Sequence, residues 1–408
     1  MKWQTLPLDA LKAPVRYAFV GGPFGSNLTT RDYVEEGVPV IRGNNLPPNT
    51  SFAEDEFAFV REKKADDLPS NTAFPGDLVF TQRGTLGQVG LIPRESRFPR
   101  YIISQSQMKL TVDQRIADPR FVYYFFRLPA TVQRVVNHAL SSGVPHINLG
   151  ILKEFKITIP ELACQQRIAD ILTAYDDHMD NNRRRIALLE ESARQLYREW
   201  FIRLRFPGYE HTHIAHGFPD RWERKTLGDL CYEVRESVNP KLLEPNIPYI
   251  GLEHIPRRSI SLSEWGTAQQ VTSSKHRFRE GEVLFGKIRP YFHKVGVAFV
   301  DGIASSDAII IRPLAPKLRG FVLLTVSSDP FVAVTAQTMR EGSKMPRADW
   351  KQMQAYSTPL PPDGLLSSFE ATIQPIVEQL RSLSFAIQKL RAARDLLLPR
   401  LMSGEIVV

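Results

Sequence analysis

At 408 residues the chain is too long for one compact core and suits two or three domains of ordinary size. A hydrophobic fraction of 43% with 24% charged residues excludes a disordered chain, and two cysteines exclude a disulfide framework. The formal charge of +8 and pI near 9.4 favour a polyanionic partner such as nucleic acid. Apolar runs such as 321–326 fall short of the roughly 20 residues that span a bilayer, and no basic segment followed by an apolar core opens the chain. A soluble, cytoplasmic protein without membrane contact is expected.

In chain order, the runs Val38–Ile41, Leu78–Thr81, Gln88–Ile92 and Met108–Val112 are β-branched or apolar and bounded by Gly or Pro, which predicts strands. The segment 119–128 reads as a helix because its apolar residues run closer than strand alternation. A long run follows in which Ile168, Leu172, Tyr175, Met179, Asn182, Ile186, Leu189, Ala193, Leu196, Trp200 and Arg203 recur at alternating four- and three-residue steps. That spacing predicts a coiled-coil seam on a helix of roughly 55 Å. Strands are then expected at 248–251, 282–285, 295–300 and 308–312, and a helix at 318–327. A second seam follows at Phe369, Ile373, Ile376, Leu380, Leu383, Ile387, Leu390, Arg394, Leu397 and Leu401.

Subtracting 201 from each member of the second seam lands on the first ten members of the earlier one. The chain is therefore a duplication. Trp3-Gln-Thr-Leu-Pro-Leu matches Trp222-Glu-Arg-Lys-Thr-Leu, Val38–Leu46 matches Ile247–Ile255, and Phe74–Phe80 matches Phe278–Phe285 with one insertion. Val144-Pro-His-Ile147 matches Met345-Pro-Arg-Ala348. The expected organisation is an α+β fold of two pseudo-two-fold-related units joined by long antiparallel helices. Its divisions are a unit at 1–160, a central helix at 161–206, a second unit at 207–360 and a C-terminal helix at 361–408. Pro375, inside the second seam, predicts a late start or kinked lead-in for that helix, with a bend at Pro399. Asn182 opposite Leu383 would put one polar layer in the seam and pin its register.

Catalytic signatures are absent: no Gly-x-x-x-x-Gly-Lys-Ser/Thr loop and no Gly-x-Gly-x-x-Gly between a strand and a helix. Gly21-Gly-Pro-Phe-Gly-Ser26 reads as a structural turn, since Pro23 lacks a donor. Asp55 with Glu62-Lys63-Lys64 only faintly matches a nuclease cluster. His211, His213 and His216 have a spacing that could hold a transition metal but read as a solvated linker, so neither a catalytic nor a metal site is expected.

The informative segments are Thr81-Gln-Arg-Gly-Thr-Leu-Gly-Gln88 and Phe285-Gly-Lys-Ile-Arg-Pro-Tyr-Phe-His-Lys294, which occupy matching positions between paired strands. Arg can take a guanine edge bidentately, Gln an adenine edge, and Lys the phosphates. Arg83 and Gln88 are expected to read one half-site, and Lys287, Arg289 and Lys294 the other, with Tyr291 stacking or wedging. Thr85, Ser104, Gln105 and His293 complete the expected DNA-binding set. A scaffold that joins two protein-binding modules, its basic loops only solubilising, is the competing class.

The motifs Gly22-Pro-Phe-Gly-Ser-Asn27, Arg83-Gly-Thr-Leu-Gly-Gln-Val-Gly90, Gly143-Val-Pro-His-Ile-Asn148, Gln165-Gln-Arg-Ile-Ala-Asp-Ile-Leu172, Phe285-Gly-Lys-Ile-Arg-Pro290 and Leu397-Leu-Pro-Arg-Leu-Met-Ser-Gly-Glu405 occur in fixed order. With the duplication, they make the whole chain resemble the DNA-specificity subunit of type I restriction-modification systems. Leu365-Leu-Ser-Ser-Phe369 departs from the Gln-Gln-Arg-Ile pattern at the second helix. The resemblance implies a non-catalytic subunit of two target-recognition domains on double-stranded DNA, bound to two methyltransferase subunits and to restriction subunits that translocate DNA. S-adenosylmethionine would then belong to the methyltransferase partner, ATP and Mg to the restriction partner, and no cofactor to this chain. Such a duplication should read a bipartite target of unlike halves, with the helices setting an unread spacer of about one helical turn.

Overall fold

The computed structural model describes residues 3–139, 145–215, 217–337 and 346–408. Val144 and Met345, within two of the matched motifs, and His216 lie outside them. The chain divides into one unit of Met1–Asp180 with Lys389–Val408 and another of Asn181–Gln388. Each unit thus contains part of both long helices.

In the first unit, a four-stranded sheet runs in the order Phe19–Gly21, Gln107–Leu110, Leu78–Thr81, Val89–Leu91, with every neighbour antiparallel. A five-stranded sheet contains Val38–Ile41 beside Tyr101–Ile103 in the parallel sense. The helix Pro119–Arg127 starts where Asp118 accepts from the Arg120 amide, with Pro119 in the first turn, and buries Phe121 to Phe126. Its aromatic residues form one core with Leu78, Phe80, Met108, Ile168 and Leu172, closed by Leu398, Leu401 and Met402 from the C-terminal helix.

The second unit repeats this plan. Cys231–Val234, Ala308–Pro313, Val283–Gly286 and Val295–Ala298 follow the same order, extended by Ser261–Leu262. Pro248–Ile250 again lies parallel to Gly302–Ala304. The strand pair Gln4–Pro7 with Lys156–Ile159 reappears as Glu223–Thr226 with Ser357–Leu360. A buried carboxylate is copied just before matching strands, with a different cation on it: the buried Lys109 meets Asp77 at 3.2 Å in one unit, and the half-buried Arg312 meets Glu282 in the other.

The central helix spans Leu162–Tyr197 and ends in a π turn, Arg198–Ile202, which buries both Trp200 and Phe201 and leaves Arg203 exposed beyond the helix. The C-terminal helix runs unbroken from Asp363 to Met402, so Pro375 neither delays nor ends it. Pro375 is exposed, and its neighbours Phe369, Ile373 and Leu380 are at most 1% exposed, so burial on both sides carries the helix through the missing hydrogen bond.

Within the first unit Asp176 meets Arg394 and Arg167 meets Val408, so the helix ends run antiparallel there. Within the second unit Phe201 meets Phe369, with ring centroids 4.7 Å apart. Counting back from Phe201 to Asn182, and equally far forward from Phe369, arrives at Gln388. Asn182 is therefore level with Gln388 and not with Leu383: the offset of 201 relates copies, whereas antiparallel pairing sets the layers, and the expected Asn182–Leu383 pin is withdrawn. The helices are also buried on more than a seam. Ile168, Leu172, Met179, Leu380, Leu383 and Ile387 are buried, but Tyr175, Ile186, Leu189, Leu196, Ile376, Leu390 and Leu397 are only half-buried, while Glu190 and Tyr197 off the seam are buried.

Neither cysteine forms a disulfide, and burial raises both thiols, Cys231 to about 12. A raised pKa leaves almost no thiolate at neutral pH. The native protein should therefore be silent to a colorimetric thiol reagent at pH 7.5 and show both thiols after denaturation. A rapid native reaction at either would contradict this burial.

Candidate nucleic-acid interface

In the first unit, three segments leave the same end of the four-stranded sheet, because its strands alternate in direction. They are the connection after Gly21, the turn 104–107 and the loop 82–88. Backbone bonds knit them together: Gly22 N–H donates to Gln107 O (2.8 Å), Gln82 N–H to Ser106 O (2.7 Å), Thr81 N–H to Gln88 O (3.0 Å) and Ile147 N–H to Gln82 O (3.1 Å). Arg83 bridges to His146. Gly87 has φ +84, and an added Cβ would lie 2.8 Å from a Val132 methyl carbon, so the loop requires glycine there.

The second unit frames its loop with three of these four bonds. Gly286 N–H donates to Lys294 O (2.8 Å), Lys287 N–H to Asp307 O (2.7 Å) and Ala348 N–H to Lys287 O (2.8 Å), and Ile288 bridges to Arg347. Duplication therefore extends to individual hydrogen bonds, while the side chains the frames present differ.

In the first frame, Arg83 and Thr85 are exposed and Gln88 half-buried, lining an open cleft of about 530 Å³ with Ser104. Gln88 is oriented by accepting from the Thr81 hydroxyl at 3.3 Å. Ser104 donates to the Gln107 side chain. Gln105 turns its amide onto Gly25 O (2.7 Å) and Leu28 O (2.8 Å), which makes it a brace for the neighbouring connection. Arg42 and Asn44 also line this cleft, and sequence reasoning had used them only as markers of the duplication. Arg42 donates to Glu56 O at 2.9 Å, and its buried Nε has no partner among the described residues. The signal available was position, since both follow the strand Val38–Ile41.

In the second frame, Arg289 and His293 adopt left-handed φ of 49° and 54° on either side of the turn Pro290–Phe292. Two non-glycine residues held this way mark a loop fixed by its surroundings. Phe292 packs beneath the Arg257 guanidinium at 4.2 Å and against Tyr291 at 5.0 Å, and Tyr291 stays 51% exposed. Arg289 is exposed, and Lys287 is half-buried with its ammonium on Ser306 O at 3.1 Å.

His293 and Lys294 point inward. His293 is 7% exposed, its Nε2 lies 2.7 Å from Ser327 O, and burial lowers its pKa, which favours the neutral ring. Lys294 donates to Leu252 O, and burial depresses its pKa too. The left-handed residue after Phe292 reverses the chain here, and both side chains anchor the loop from below.

The remaining clusters are structural. Glu62 pairs with Arg100, and Lys64 with Asp32 at 3.2 Å. His213 lies 3.6 Å from Asp220, and no group of three metal-ligating side chains occurs among the described residues. No single helix among them is long and apolar enough to cross a membrane.

Comparison with known proteins agrees with this architecture. Residues 29–191 match the family model of the type I restriction modification DNA specificity domain. The MjaIX specificity subunit of Methanocaldococcus jannaschii is 24% identical over 343 residues, 78% of each chain. The HindI specificity subunit of Haemophilus influenzae is 19% identical across 89% of this chain and 95% of its own. The crystal structure of a type I S subunit from M. genitalium superposes with a TM-score of 0.59 at 16% identity, over 98% of this chain and 96% of that one, and so shares the fold. In both frames, both long helices and these matches, the chain is similar to the type I restriction-modification specificity subunits.

Proposed function

We propose that this chain is the non-catalytic sequence-reading subunit of a type I restriction-modification complex, and that each framed loop reads one half of a bipartite DNA target. The carrying observation is that two frames share three hydrogen bonds but present different side chains: Arg83, Thr85 and Gln88 in one, Lys287, Arg289 and Tyr291 in the other. Matching frames place both loops alike on their sheets, and unlike side chains call for unlike half-sites. Arg83 and Arg289 take base edges, Lys287 a phosphate, and Tyr291 a base face. Two methyltransferase subunits supply S-adenosylmethionine chemistry and restriction subunits supply ATP-driven cleavage, which leaves recognition and assembly to this chain. The long helices serve as the assembly scaffold, with recognition domains at 1–160 and 207–360.

Arg83→Ala should degrade one half of the methylated motif, each lost base contact being worth about 1–3 kcal/mol of discrimination. Sequencing methylated sites in cells carrying the variant checks this; an unchanged motif would remove Arg83 from the reading set. The scaffold alternative predicts no steeply salt-dependent binding of the complex to duplex DNA, whereas phosphate neutralisation requires it.

A further inference from the structure

The two most exposed large apolar side chains among the described residues are Phe24, at 84%, and Leu242, at 83%. Single exposed apolar residues are ordinary on a protein surface. These two, however, lie in corresponding connections of the two copies: Phe24 directly follows the strand Phe19–Gly21, and Leu242 comes after its counterpart Cys231–Val234 and the short strand Ser237–Val238. In the first unit the connection then returns to the second sheet, where Leu28 packs; in the second, Ser237–Val238 has already joined that sheet before Leu242, and Leu243 packs there after it.

Both connections are built to hold their tips still. In the first unit, Gln105 donates to Gly25 O and Leu28 O, and Asn71 donates to Gly21 O at 2.8 Å. Gly22 lies so close to Ser104 that an added Cβ would sit 2.1 Å from its carbonyl oxygen. Ser104 in turn lines the cleft that holds Arg83 and Thr85. In the second unit, Leu242 N–H donates to Asn239 O at 3.0 Å, and the Asn239 side chain accepts from Lys241 N–H at 3.1 Å. Rigid bracing and exposure in both units, with continuity to the reading loop in the first, converge on one occupant.

We propose that Phe24 and Leu242 are apolar base contacts, one per recognition unit, pressed against base pairs of the duplex that the adjoining loop reads. Such residues are the type that proteins wedge against or between base steps. The inference rests on the DNA-reading role proposed above. A protein partner in place of DNA is the competing occupant, and the test separates the two.

The full chain is assembled with its methyltransferase subunits, and the wild-type methylated motif supplies a target duplex and a scrambled one. Phe24→Ala should weaken target binding by about tenfold or more while leaving scrambled-duplex binding and the melting temperature unchanged; Phe24→Leu should retain most of the affinity. Leu242→Ala should act likewise, and the lost preference should map to opposite halves of the motif for the two variants. Wild-type affinity for target duplex in both alanine variants would overturn the proposal, as would equal weakening on both duplexes. If the variants failed only to assemble with the other subunits, the protein-partner reading would replace it. If Arg83→Ala altered the motif and Phe24→Ala did not, the proposal alone would fall; a wild-type complex that cannot discriminate the duplexes would remove the reading beneath it as well.

Discussion

Replacing Glu190 by alanine is expected to destabilise the Asn181–Gln388 unit by about 3–5 kcal/mol, the usual cost of breaking a buried charged contact from one side. The Glu190 carboxylate sits on the central helix and is 4% exposed. One oxygen accepts from the Ser259 hydroxyl (2.7 Å), the Ile260 and Ser261 amides (each 3.1 Å) and the Ser261 hydroxyl (2.7 Å), and the other takes Arg194 at 3.1 Å. Alanine would leave two backbone donors without an acceptor at the edge of the sheet carrying the second reading loop, where Ser261–Leu262 pairs with Val297–Ala298. Glu190→Gln keeps the shape and an acceptor but loses the charge, so it should cost about half as much. Denaturant unfolding of the three proteins measures this. A midpoint unchanged in Glu190→Ala would show the carboxylate to be worth no more than a surface ion pair.

Glu190 also marks where the sequence stops being readable. In the helical pattern it stands off the seam among charged neighbours, and a charge off the seam reads as a solvated face. Only the fold brings Ser259–Ser261 against it. The strands Val38–Ile41 and Leu78–Thr81 were legible to the residue, since β-branched runs between Gly and Pro leave few alternatives. The copy relation was legible for a different reason: two occurrences of one weak pattern at a constant offset constrain each other.

Side-chain direction inside the loops was not legible. Composition alone makes His293 and Lys294 equivalent to Arg289, and their inward turn depends on left-handed backbone flanking Pro290–Phe292, which ordinary residues adopt only under tertiary constraint. Gln105 carries base-reading chemistry yet spends both amide hydrogens on Gly25 and Leu28. Periodicity likewise located the long helices but not their layers, because a repeat offset says which residues are copies and only contacts say which residues meet.

Phe369→Ala should cost the Asn181–Gln388 unit about 3–5 kcal/mol, by lost transfer energy and the cavity left behind. Phe369 is 0% exposed and lies against Phe201 (4.7 Å between centroids), Trp200 (5.5 Å) and Tyr197 (6.5 Å). Three aromatic residues from the end of the central helix thus close on one ring from the start of the C-terminal helix. The damage should also be uneven along that helix. Pro375 supplies no N–H to the carbonyl four residues earlier, so the turns from Asp363 to Gln374 depend on side-chain burial more than those that follow. Hydrogen exchange of the variant should accordingly show amides before Pro375 losing protection first, while those from Val377 onward keep theirs under conditions where the unit remains folded. Uniform loss along the whole helix would mean that Pro375 does not divide it energetically, and that the helix holds or opens as one cooperative piece.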